Sequence, residues 1–391
     1  MIGKKMRIEM TMKRISLMKK TTTSPRRAVA TILARAAVGK STSIVTGKMR
    51  SRTRAQAFLP TGKLPADLLT ALLARVPRDD ARVIIGPNIG RDAAVIDMGD
   101  HYLVAKTDPI TFATDDIGWY AVNVNANDIA CMGARPKWFL ATALLPAGRA
   151  DAAMAETIFN QIAEACAALN IALVGGHTEI TYDLPRPIVV GAMLGEVAKD
   201  KLITSAGARV GDVVLLTKFA PLEGSALIAR EKADDLRARG FTDDLIARAR
   251  KFLRDPGISV VREALIATDA GLATALHDPT EGGVATGLGE LAHASRVGLE
   301  VDEDAIPFAE EGIALCAVYG LDPLGVIASG SLLVTTPADK ADHLINLWAS
   351  ANIRCAAIGR VVPQEDGVTL RRGTTRRALP RFDADEITRI L

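Results

Sequence analysis

Leu64, Leu68, Leu69, Leu72, Leu73 and Val76 recur at helical spacing, and regular patterning of the chain begins there. Alternating apolar positions then predict a strand pair, Ala94–Met98 and Tyr102–Lys106, joined by a turn at Gly99-Asp100. A helix is expected from Ile117 to Met132, a strand over Trp138–Leu145 and an amphipathic helix over Ala152–Leu169. Ile171–Val174 reads as a short buried strand running into Gly175-Gly176, and Ile188–Val197 as the strand that closes the first unit. In the second unit, strands are expected at Asp212–Thr217, Leu299–Val301, Ser331–Thr335 and Ala356–Val361. Helices are expected at Leu222–Lys232, Asp243–Phe252, Val260–Thr268, Val284–Ser295 and Ala338–Ala351. Strands and helices mix without a regular βαβ repeat, which predicts an α+β protein of two domains, 58–200 and 201–375. A short tail, 376–391, follows; from about Arg371 the chain is basic and expected at the periphery.

Composition changes this picture mainly at the N-terminus. The chain has 391 residues, 49% of them hydrophobic, which suits a globular protein with real cores. Its formal net charge of +3 hides an asymmetry: residues 1–57 hold 15 Lys+Arg and a single acid, Glu9, so the remainder is acidic. An acidic body argues against nucleic-acid binding. Residues 1–57 read as a disordered extension, a start assigned too early, or an Arg- and Ser-rich transit leader. The stretch AAVGKST there is not a phosphate loop, because Ala34 stands where that motif needs glycine. Cys131, Cys166, Cys316 and Cys355 are far apart and form no zinc-ligand spacing, which suits a reducing cytoplasm. No apolar run is long enough to span a bilayer.

Five segments carry candidate chemistry. IGRDAAVID places Asp92 at a glycine turn, and KTDPITF places Asp108 at a strand end; singly, both read as ordinary turn aspartates. In YAVNVNANDIACMGARP, Asn123, Asn125, Asn127 and Asp128 interrupt an apolar helix where such residues are poor formers. That stripe must find partners or cost about 1–3 kcal/mol per unsatisfied group. A buried structural network and a ligand site explain it equally well. LVGGHTEIT carries His177 and Glu179 after a glycine pair. HDPTEGGVATG carries Asp278, Thr280 and Glu281 before Gly282-Gly283 at a helix start. Those two glycines mark either a tight turn or a close approach of backbone to a ligand. Together, acids at strand ends and glycines at helix starts suit Mg²⁺ held with nucleotide phosphates.

In this order, the segments resemble the AIR synthase-related superfamily, most closely its hydrogenase-maturation branch, over about Ile85 to Val362. IGRDAAV, KTDPITF, NDIACMGARP, GGHTEIT, DPTEGGVATGLGELAHAS and GLDPLGVIASGSLLV carry the likeness. The resemblance implies an N-terminal sheet domain that binds ATP and dimerises, followed by a C-terminal α/β sandwich domain. It implies an ATP- and Mg²⁺-dependent enzyme that phosphorylates an oxygen, often of an amide-like group. By position it implies metal ligation by Asp92, Asp108 and Asp128. Nucleotide contacts would come from Gly90, Asp92, Lys106, Asn127, Asp128, Gly175, Gly176, Gly282 and Gly283. His177, Glu179 and Asp278 would act at the reacting groups.

The chain departs from the pattern at named positions. Arg91 replaces the first of two loop aspartates, and Glu281 stands where the hydrogenase-maturation proteins commonly have Arg. Those proteins end in an acceptor cysteine, whereas this sequence ends DEITRIL. The reactive cysteine or selenocysteine of selenophosphate synthetases is also missing from the first glycine loop. Three readings follow: an ATP-using enzyme with a small or protein-borne acceptor, a carbamoyl-dehydratase-like maturation factor acting on another protein's cysteine, and a nucleotide-binding scaffold without turnover.

Overall fold

The computed structural model describes residues 59–391 apart from 60–63, 78–79, 88–92, 112 and 114. Readings of 1–57, and of Gly90, Arg91 and Asp92, therefore lie outside the described residues.

The first domain is built on a six-stranded sheet in the order β1-β2-β3-β6-β4-β5. Its strands are β1 Val83–Ile85, β2 Ala94–Asp97, β3 His101–Ile110, β4 Arg135–Pro146, β5 Ala172–Thr181 and β6 Ile188–Ala198. The helix α1, Ala66–Leu73, precedes it. Helix α2, Ile117–Cys131, lies on β3 and β6 and also packs against the second domain. That double burial explains its composition: a helix apolar on nearly all sides has no solvent face. Helix α3, Ala152–Ala168, is amphipathic instead, burying Ile158, Ile162, Ala165 and Cys166; Asp151 caps it by accepting from the Met154 N–H at 2.8 Å.

The second domain carries a seven-stranded sheet, β13-β12-β9-β11-β7-β10-β8. The strands are β7 Val213–Thr217, β8 Ala275–His277, β9 Gly298–Asp302, β10 Leu333–Thr336, β11 Cys355–Val362, β12 Val368–Arg372 and β13 Thr375–Ala378. Its helices are α4 Leu222–Glu231, α5 Ala233–Ala238, α6 Asp243–Lys251, α7 Val261–Asp269, α8 Gly283–Ser295, α9 Glu310–Tyr319 and α10 Ala341–Ser350. Two α+β domains with one sheet each are what the sequence pattern predicts.

Two segments differ from expectation. β5 is neither short nor buried: it continues through Gly175-Gly176 to Thr181 as an exposed edge strand. The glycine pair follows a bulge in the pairing with β4, and a Cβ at Gly176 would lie 2.0 Å from the Ala141 carbonyl oxygen. The C-terminal segment is peripheral only in part: residues 371–378 are exposed, but the chain beyond them returns to the core. β12 pairs in parallel with β9, and Ile387 and Asp385 are 0% and 5% exposed. Asp385 Oδ2 accepts from the Gly282 N–H at 2.7 Å, and Oδ1 accepts from the Ile387 N–H at 2.9 Å. A residue over 100 positions downstream thus supplies the acceptor that helix α8 lacks locally.

Replacing that acceptor, Asp385→Ala, should lower unfolding stability by about 1–2 kcal/mol, the usual cost of losing a helix-terminal acceptor. A denaturant midpoint equal to that of the wild type would show that the contact contributes nothing.

Candidate active site

Residues two apart on a strand share a face, so Lys106 and Asp108 of β3 both meet α2. There the Lys106 ammonium lies 3.0 Å from Asp128 Oδ2 and 3.3 Å from Asp108 Oδ2. One cation is thus shared by two carboxylates. Asn125 Nδ2 donates to the Ala121 carbonyl at 2.8 Å and to the Asp108 carbonyl at 3.3 Å, tying α2 to the end of β3.

Asn127 faces the other way, into the second domain. It is fully buried; its Nδ2 donates to the Ile258 carbonyl at 2.8 Å and to Asp278 Oδ2 at 3.1 Å. Its Oδ1 accepts from the Val260 N–H at 2.8 Å. At Asn127 the polar helical stripe forms the satisfied interdomain network that one of the two readings expects, and Asp128 lies beside it on the same helix.

Asp278 is buried, and its Oδ1 has no hydrogen-bond partner among the described residues. Burial pushes its carboxyl well above the usual range; the charge of Asp128 adds to this, while Asn127 and His277 oppose it. Burial therefore favours the neutral form of Asp278. Beyond it lies Glu223 of α4, pushed up to about 7 by burial, opposed by Ser329 and raised further by Asp385 and Glu281. Asp385 itself is raised to about 6, by burial first and by Glu281 last. Sequence reading missed Glu223 and Asp385. The signal for Glu223 was available: in PLEGSALIA an acid sits among residues that should all be buried.

The remaining candidates are placed elsewhere. Gly282 and Gly283 adopt left-handed backbone, with φ of 77° and 62°. A Cβ at Gly283 would lie 2.5 Å from the Leu324 carbonyl oxygen. Internal packing therefore accounts for this pair, and the tight turn is what the geometry supports. His177 and Glu179 do not join the acids within one chain. Asp108 pairs across the sheet with Gly191, Gly191 with Ala141, and Ala141 with Gly176. His177 is the next residue along β5, so it leaves the opposite face, about 14 Å from β3 at the usual strand spacing. Both side chains are exposed, with His177 Nε2 3.4 Å from Glu179 Oε2.

Models for AIR synthase related proteins match both halves of the chain: the N-terminal domain over residues 90–197 and the C-terminal domain over residues 209–371. The chain belongs to the AIR synthase-related family. The two matched stretches contain every candidate residue discussed above except Asp385. Among curated relatives, the carbamoyl dehydratase HypE of Cupriavidus necator is 31% identical over 244 residues, spanning 61% of this chain and 64% of that protein. HypE of Rhodobacter capsulatus is 27% identical over 315 residues, spanning 78% and 88%. The fold is that of the crystal structure of hydrogenase maturation protein HypE in complex with ATP, with a TM-score of 0.61, 23% identity, and 81% and 90% of the two chains covered. Among the described residues, no helix is long and apolar enough to cross a membrane.

The buried carboxyls fix a pH dependence. Glu223 titrates near 7 in the fold against an ordinary value of 4.5, so its favourable contribution is present below about 4.5 and lost as pH rises through about 7. Glu223→Gln should therefore melt higher than wild type at pH 8, with the difference shrinking toward pH 5. An identical difference at both pH values would refute the buried titration.

Proposed function

We propose that the chain is an ATP-dependent enzyme that transfers the γ-phosphoryl group to an oxygen of a small or amide-like acceptor, with Mg²⁺ bound by Asp108 and Asp128. The carrying observation is the pair of carboxylates around Lys106, at 3.0 and 3.3 Å, beside the orphaned Asp278 oxygen. Among the described residues no three acids or histidines form a metal cluster. That fits Mg²⁺, which is typically held by one or two carboxylates and completed by phosphates and water. Asp92 is proposed as a further ligand from the family resemblance.

When bound, Mg²⁺ would offset phosphate charge and polarise the transferring group. The chain's own residues divide the remaining work. Lys106 supplies a second positive charge and keeps Asp108 and Asp128 oriented. Asn127 holds α2 against the second domain, so Asp128 and that domain would move as one. Asp278, whose burial favours the neutral carboxyl, would present less repelling charge to the phosphates. The acceptor oxygen attacks the γ-phosphorus, the bond to ADP breaks, and the acceptor leaves as a phosphate ester or acyl-phosphate-like species.

A second reading, a carbamoyl dehydratase acting on a cysteine of another protein, is favoured by the state of this chain's own thiols. Cys131, Cys166 and Cys316 are buried, and burial pushes Cys355 up to about 12. A thiol so raised is a poor nucleophile.

Homodimerisation is part of the proposal. β5 is an uncovered edge, with Leu173, Val174 and Ile180 exposed at 42%, 53% and 64%. Such an edge is protected by pairing or by cover. The face carrying His177 and Glu179 would then be completed by a second copy.

Asp128→Asn keeps shape and removes charge. It should weaken Mg²⁺-dependent binding of a non-hydrolysable ATP analogue at least ~10-fold, about 1.4 kcal/mol. Unchanged affinity removes Asp128 from the site. Light scattering at micromolar concentration should report a dimer; a monomer alone would contradict the completed face.

A further inference from the structure

Away from the acids, a cavity of about 780 Å³ opens between the two domains. Its walls come from the N-terminal end of α2, from α3, from the turns after β4 and before β6, and from α4 and α6 with the turn that follows. Five arginines line it, Arg149, Arg186, Arg230, Arg250 and Arg254, against two acids, Asp115 and Asp116. Counting Glu164, which pairs with Arg254 at 2.7 Å, two positive charges remain in excess on the wall of a protein whose body is acidic.

The two acids are already engaged. Arg230, 9% exposed, lies 3.1 Å from Asp116 and 3.6 Å from Asp115. Arg254 donates to Asp116 at 2.8 Å and to Glu164 at 2.7 Å, and stacks over the Trp119 ring at 3.7 Å. The other three guanidiniums have no ion pair among the described residues. Arg149 donates to the Pro185 carbonyl at 2.7 Å, and Arg250 Nε to the Ala229 carbonyl at 3.0 Å. These bonds fix where two of the cations stand without neutralising them. Guanidiniums so presented match phosphate and carboxylate in a forked geometry. The volume suits a small ligand.

We infer that this interdomain cavity binds a small oligoanion, a molecule carrying two or more phosphate or carboxylate groups, at a site separate from the nucleotide site. The separation follows from α2: Asp116 at its start and Asp128 near its end are twelve residues apart, about 18 Å along the helix. A ligand held by Arg149 and Arg186 from the first domain and Arg250 from the second would bridge the domains. Its binding would therefore also stabilise their arrangement.

The test uses the full chain and two probes, diphosphate and citrate, at matched ionic strength because surface charge is screened by salt. Calorimetry should show saturable binding of at least one probe with Kd below about 1 mM; which probe binds distinguishes a phosphate from a carboxylate ligand. The double variant Arg149→Ala/Arg186→Ala should lose at least ~10-fold in that affinity, while its affinity for the Mg²⁺-ATP analogue stays within about twofold. Asp128→Asn should bind the probe like wild type. No saturable binding of either probe to wild type would overturn the site, as would equal binding by a folded double variant. Loss of probe binding in Asp128→Asn would also overturn it, by assigning the anion to the nucleotide site. Should the double variant fail to fold, Arg186→Glu alone, on an exposed turn, must show the same selective loss.

Discussion

One side-chain amide connects the parts of this protein that matter to its chemistry. Asn127 uses both polar atoms of its side chain on the second domain, bonding the backbone at Ile258 and Val260 and the carboxyl of Asp278. A buried amide that loses such partners leaves unsatisfied groups on both sides of the interface, each costing about 1–3 kcal/mol. The next residue, Asp128, reaches back to Lys106 of the first sheet. Adjacent positions on one helix therefore hold the interdomain contact and the acid pair. Neither can shift without the other.

Electrostatics gives this group of acids its character. Asp128, Asp278, Glu223 and Asp385 form a chain of neighbouring acids, three of them buried strongly enough to raise their proton affinity. Burial shifts these carboxyls toward their neutral forms, which lessens the cost of several buried charges. Asp108 and Asp128, which share Lys106, are the acids left to meet a cation. The arginine-lined cavity lies at the other end of α2, so one helix separates the acids from a basic cavity.

The sequence made much of this legible. The extent of α2 was readable to within a residue, because apolar positions on every side of a helix can only mean burial. Asn127 and Asp128 stood out because they are costly where they are. The bounds of β5 were not readable: glycines normally interrupt a pattern, yet here they follow a bulge inside a continuing strand. The side of the sheet on which His177 lies depends on that bulge, since a one-residue slip turns every side chain over. The role of Asp385 was invisible for another reason. Its partner, the Gly282 N–H, lies 103 residues away, and no local pattern encodes a contact of that range.

Hydrogen exchange on Asn127→Ala tests the coupling of site and domain interface most directly. If the amide joins them, protection should fall together in two segments, residues 117–131 of α2 and residues 256–262 of the second domain, and affinity for the Mg²⁺-ATP analogue should fall with it. Loss of protection confined to α2, with nucleotide affinity intact, would show that the domains hold together by other means and that the acid pair does not depend on this contact.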